Sequence, residues 1–88
     1  MNLYIRFYGT VQGVGFRATT ECFARELSIS GTVKNMADGS VEIYAQGPNA
    51  NVDAFLSRLQ NHFKRYLQRV DIRPLEVATP FTDFRIIF

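Results

Sequence analysis

The apolar residues of this chain change period twice, and one Asp-Gly pair separates the two changes. In residues 3–8, Leu3, Ile5 and Phe7 alternate with Tyr4, Arg6 and Tyr8, the period of two expected of a strand with one buried face. Phe16, Thr20, Phe23 and Leu27 then recur at spacings of three or four, which predicts a helix over about residues 17–28. TVKNM and SVEIYAQ flank Ala37-Asp38-Gly39, and Asp-Gly between two such runs predicts a hairpin. Gly47-Pro48-Asn49 breaks the chain and offers a helix cap. Beyond it, Val52, Phe55, Leu56, Leu59, Phe63, Tyr66 and Leu67 form a second helical stripe, with Lys64, Arg65 and Arg69 near its end where the helix dipole favours cations. Val70 and Ile72, then Leu75 and Val77, alternate with a slip at Pro74, as in an edge strand or a bulge. FRIIF closes the chain as a short strand.

The order is β-α-β-β-α-β plus an extra strand. Right-handed crossovers around a central hairpin make this an α+β, ferredoxin-like split βαββαβ sandwich: an antiparallel sheet with both helices on one face. The first two strands run parallel with the third between them, so their C-terminal ends meet at one end of the sheet, roughly 10 Å apart. With 88 residues, the whole of 1–88 is expected to form a single domain. A hydrophobic fraction of 47% with eight phenylalanines excludes disorder. A net charge of +2 does not by itself imply nucleic acid, though it suits small anionic ligands. Cys22 is the lone cysteine, so no internal disulfide forms; its place on the apolar side of the first helix predicts a small buried hydrophobe. The opening residues lack an apolar signal-like core, and no apolar run approaches the ~20 residues of a membrane span. A cytoplasmic protein is expected.

The junction between the first strand and first helix reads GTVQGVGFR, with three glycines within seven residues. A loop entering a helix N-terminus points unpaired N–H groups forward, where the dipole favours negative charge. Glycines let successive amides converge into an anion nest, and Arg17 adds a planar cationic fork that matches two phosphate oxygens. Amides and arginine together predict a phosphate clamp. Gly13, Gly15 and Ala18 also satisfy G-x-G-x-x-A, with Asp38 twenty residues beyond, but Asp38 falls in the hairpin turn and the chain is too short for a doubly wound sheet.

GTVQGVGFR at residues 9–17 and GTVKNMADGSVEIYAQG at 31–47 resemble, in order, the two signatures of the acylphosphatase family. The resemblance implies hydrolysis of acyl phosphates to a carboxylate and phosphate, by a monomer, without metal or cofactor. By motif position it implies that the backbone of Gln12, Gly13, Val14, Gly15, Phe16 and Arg17 binds phosphate with the Arg17 side chain, and that Asn35 orients the attacking water. Two departures stand out. Thr32 follows Gly31 where the family usually has an aromatic residue, and QNHFKRYLQRVDIRP replaces a commoner glycine-containing turn, so the second helix is expected to run longer. A similar domain begins a hydrogenase-maturation carbamoyltransferase; because this chain stops after FRIIF, the free-standing enzyme is expected.

Such chemistry needs no nucleophilic or metal motif. A carboxylate is already a good leaving group, so positioning and charge stabilisation suffice. The only histidine, His62, is expected at the surface or boundary of the second helix, and Lys34 in solvent. The alternative is a ferredoxin-like RNA-binding module using Tyr4, Tyr8 and Tyr44 on the open sheet face. The strand pattern that such a module requires is absent from SVEIYAQ, and the basic residues cluster on and after the second helix. Neither nucleic acid nor membrane is expected as a partner.

Overall fold

The computed structural model of the chain describes residues 1–76 and 80–88, and follows the predicted order. The elements are β1 (Asn2–Gly9), α1 (Phe16–Glu26), β2 (Ser30–Asn35), β3 (Val41–Gln46), α2 (Asn49–His62), β4 (Leu67–Pro74) and β5 (Phe84–Ile87). The sheet order is β4-β1-β3-β2-β5. The first four strands pair antiparallel, whereas β5 lies parallel to β2, with Gly31 opposite Phe84 and Lys34 opposite Ile87. Val77 lies outside the described residues.

Alternation along the strands places Ile5, Phe7, Val33, Ile43 and Phe84 on the face that the helices cover. Thr20 and Ala24 of α1 are buried there, as are Val52, Phe55 and Leu59 of α2. Aromatic rings link the layers: Phe7 lies 5.3 Å from Phe16 and Phe16 lies 4.3 Å from Phe63, centroid to centroid. Phe55 meets Phe84 edge-on at 6.0 Å, which holds β5 to α2. Burying one such ring is worth about 1.5–3 kcal/mol.

Three expectations from sequence change. The second helix is shorter, not longer: it ends at His62, Phe63 is the buried C-cap residue, and Leu67 already pairs with Gly9 in β4. The helical spacing of Tyr66 and Leu67 arises from a turn, in which the amides of both residues donate to the carbonyl of Phe63. Lys64 and Arg65 therefore sit just past the helix and Arg69 lies in β4. Cys22 is exposed on α1, its thiol 3.6 Å from Glu26 Oε1, because the buried stripe passes through Phe16, Thr20 and Ala24 instead. Pro48 is the N-cap residue of α2, but no side chain caps that helix.

Position β5 could not be placed from its own pattern. The Leu75 amide donates to Asn2 at one edge of the sheet, and the Gly31 amide donates to Asp83 at the other. Both contacts lie at the end remote from Gly9 and Asn35, so β5 runs back toward Asn35 and delivers Ile86 and Phe88 there. Among the described residues, no helix is long and apolar enough to cross a membrane.

Gly9 has a reason of its own. It ends β1 at φ 137°, and a Cβ there would collide with the Tyr66 carbonyl oxygen. The first of the three glycines thus serves the β1–β4 junction and not the loop. Gly9→Ala should destabilise the protein by about 2–3 kcal/mol, since a strained backbone or a displaced strand must result. A thermal melt should show a drop of at least about 8 °C for a domain of this size; a wild-type melting temperature would contradict this account of Gly9.

Candidate active site

Between Gly9 and α1 the chain makes a loop whose geometry depends on Gly13 at φ 80° and Gly15 at φ 77°. Both are left-handed, a conformation that disfavours L side chains by roughly 1–2 kcal/mol. A Cβ at either position would meet nothing within 4 Å, so the requirement is conformational and not one of space. Gly15 is also the N-cap of α1; no side chain caps that end and no acidic residue occupies the first turn. The positive end of the helix dipole is therefore not offset by a side-chain cap or by a carboxylate in the first turn. Phe16, the first residue of α1, is buried, which anchors the loop's exit while Arg17 beside it points out of the core.

These residues line a cavity of about 230 Å³. Gln12, Gly13, Gly15 and Arg17 form one side, and Asn35 at the end of β2 forms part of the other. The two motifs thus converge on one space. Val14 is half-buried and packs against the core, and it is not among the residues that line the cavity. Arg17 forms no ion pair among the described residues; its Cζ lies 5.1 Å from the ring centroid of Phe88. Among the described residues, the Oδ1 atom of Asn35 is buried without a hydrogen-bond partner. A buried carbonyl oxygen left unpaired is costly, which singles out Asn35 among the residues that line the cavity. No aspartate or glutamate is among the residues that line this cavity.

Asn35 owes its place to the hairpin that follows. Met36 N donates to Ser40 O at 2.8 Å and Gly39 N to Met36 O at 3.1 Å, closing the turn. Asp38 accepts from the amide and hydroxyl of Ser40 and from Arg6 Nη2, while Arg6 Nε donates to the Ser40 hydroxyl. These donors, Ser40 first, hold the Asp38 carboxyl below the usual aspartate range. Gln12 then joins the two halves of the site: its Nε2 donates to Met36 O at 2.8 Å and to Ser40 O at 3.0 Å. The sequence reading gave Gln12 only a backbone role and missed this side-chain tie. Its signal is invisible in one dimension, because the two acceptors are backbone carbonyls more than twenty residues away. Ile86 and Phe88 also line the cavity and were likewise missed.

The open face of the sheet is largely self-satisfied. The Tyr4 hydroxyl donates to Glu42 Oε2 at 2.9 Å; burial, and then this carboxylate, push its pKa up. Its ring meets Tyr44 edge-on at 5.2 Å, and Tyr44 faces Phe81. Tyr8 stacks with Arg69, whose Cζ is 4.0 Å from the ring centroid. Tyr4 and Tyr44 are thus engaged with each other and Glu42, and Tyr8 with Arg69, which gives the RNA alternative no support. His62 is exposed, edge-on to Phe23 and Phe63, as expected of a helix boundary. Among the described residues, no cluster of three His, Cys, Asp or Glu side chains could hold a metal ion.

A family model described as Acylphosphatase matches residues 3–86. An acylphosphatase from Paenarthrobacter aurescens is 44% identical over 90 aligned positions, covering 99% of this chain and 94% of that protein. One from Lactobacillus johnsonii is 40% identical over 86 residues, covering 96% and 94%. Among solved structures, acylphosphatase from Bacillus subtilis superposes with a TM-score of 0.90 at 30% identity over 100% of both chains.

Gly15 offers a test of the loop that is separate from the fold. Gly15→Val should still fold, because the new side chain enters open space, yet it should turn the amides away by resisting positive φ. Inhibition by inorganic phosphate should weaken at least about tenfold, the equivalent of about 1.4 kcal/mol. Unaltered phosphate inhibition in a folded Gly15→Val protein would show that the loop amides do not bind the anion.

Proposed function

This chain belongs to the acylphosphatase family, hydrolases acting on acyl phosphates, and from that premise we propose that its two motifs divide the reaction between them. The backbone of residues 12–17 and the Arg17 guanidinium hold the phosphoryl oxygens; Asn35 holds the water. The supporting observation is one cavity lined by the helix N-terminus at Gly15, by Arg17 and by Asn35, which among the described residues have no side-chain cap, no ion pair and no partner for Oδ1 respectively.

In this reading the amides and the planar fork of Arg17 neutralise charge on the equatorial phosphoryl oxygens, and this stabilisation grows as the bond to the leaving group stretches. Asn35 Oδ1 accepts a hydrogen bond from water and aims its lone pair at phosphorus, opposite the acyl oxygen. The new P–O bond forms as the old one breaks, the acyl group leaves as a carboxylate, and the water's proton passes to phosphate or solvent. No general acid is needed for so stable a leaving group, and the positive charge comes from the chain's own groups, so turnover is metal-independent. We read the enzyme as a cytoplasmic monomer on the strength of its lone cysteine and its resemblance to small acylphosphatases.

Benzoyl phosphate hydrolysis in the presence of EDTA tests this directly. Turnover should persist in the chelator. Arg17→Lys should lose about 10²–10³ in rate despite keeping its charge, because a point charge replaces a bidentate fork. If EDTA abolishes turnover, or if the lysine variant works at near the wild-type rate, the clamp is wrongly assigned.

A further inference from the structure

The acyl half of the substrate also needs a place, and the cavity walls limit what it can be. Three side chains with hydrogen-bonding groups line the cavity: Gln12, Arg17 and Asn35. The Gln12 amide hydrogens are already committed to Met36 O and Ser40 O. In the reading above, Arg17 takes the phosphoryl group and Asn35 the water. Of the apolar lining, Val11 and Phe16 are buried in the core. The accessible side-chain surface is that of Ala18, Ile86 and Phe88, none of which can make a hydrogen bond.

Phe88 is 93% exposed, although its ring centroid is only 5.1 Å from the Arg17 guanidinium carbon. Hydrocarbon left in water beside a cationic anchor gains from being covered by hydrocarbon. Resting on the assignment of Arg17 as phosphate ligand, we propose that Phe88, with Ile86 and Ala18, forms the acyl-binding wall and selects acyl phosphates whose acyl group is apolar or aromatic. A phosphoryl group on Arg17 starts its acyl chain beside the Phe88 ring. An aryl or alkyl acyl group covers that ring and is itself desolvated. Hydroxyl or amide groups on the acyl part would surrender water against a wall whose side chains offer no hydrogen bond, which disfavours polar acyl phosphates. Parallel pairing of β5 with β2 creates the wall, because it carries Ile86 and Phe88 to the end of the sheet where Asn35 stands.

The test is kcat/KM for benzoyl phosphate and for acetyl phosphate, in the wild type, Phe88→Ala, Phe88→Leu and Arg17→Ala. Phe88 lies outside the core, so its replacement leaves folding intact. Phe88→Ala should lower the benzoyl-to-acetyl ratio about five- to tenfold, within the range that apolar contacts discriminate, and Phe88→Leu should recover part of that preference. A wild-type ratio in Phe88→Ala would overturn the wall. So would an equal loss on both substrates, which would make Phe88 a support for Arg17 and not a reader of the acyl group. Arg17→Ala separates the two levels. If it abolishes both activities while Phe88→Ala keeps the ratio, only the wall fails; if it leaves both intact, the phosphate assignment beneath it fails.

Discussion

The ring of Phe16 is the fixed point of this molecule. It is buried against Phe7 of β1 and Phe63 at the end of α2, and it is also the first residue of α1. Its burial sets the depth and angle at which the helix N-terminus meets the sheet. Gly15 before it and Arg17 after it are then held by the core, although both face the cavity. Replacing a buried phenylalanine by alanine typically costs about 3–5 kcal/mol. Here the lost energy would come from the element that aims the amides, which makes stability and site geometry inseparable at this position.

The rest of the site is arranged around that point by polar ties. Gln12 joins the loop to the β2–β3 hairpin, and Arg6 with Asp38 and Ser40 fixes the hairpin turn. The groups left over are the ones at the cavity: an uncapped helix end, the Arg17 fork and the Asn35 oxygen. Arg6, Asp38 and Ser40 satisfy one another in the turn, whereas among the described residues the helix end has no side-chain cap, Arg17 no ion pair and the Asn35 oxygen no hydrogen bond. That asymmetry fits a small anion and a water as the missing partners, and it is why we divide the proposed chemistry as we do.

Much of this was legible in the sequence, for identifiable reasons. Strand and helix periods are local, so the order of elements, the Asp38-Gly39 hairpin and the convergence of the loop with Asn35 follow from pattern and chain-crossing rules. What failed was what depends on distant partners. The stripe through Tyr66 and Leu67 keeps a helical spacing by coincidence of a turn, and Leu67 belongs to β4. Cys22 is two residues from both Thr20 and Ala24, about 200° around the helix from each, and so lies in solvent. Gly9 looked like part of the nest, but the Tyr66 carbonyl excludes a side chain there. FRIIF has no periodicity that names its neighbour, so neither its pairing with β2 nor the arrival of Ile86 and Phe88 at the cavity could be read.

The central claim is that Arg17 belongs to the phosphate and Asn35 to the water, and thermal melts in phosphate against chloride at matched ionic strength test it most directly. At ten times its dissociation constant, phosphate should stabilise the wild type by roughly 1.4 kcal/mol. For a domain of this size that raises the melting temperature by about 5–10 °C. Arg17→Ala should abolish the shift. Asn35→Ala should keep most of the shift and still lose turnover. If Asn35→Ala loses the shift as fully as Arg17→Ala does, Asn35 is a phosphate ligand or a support for the loop, and the division of labour proposed here is wrong.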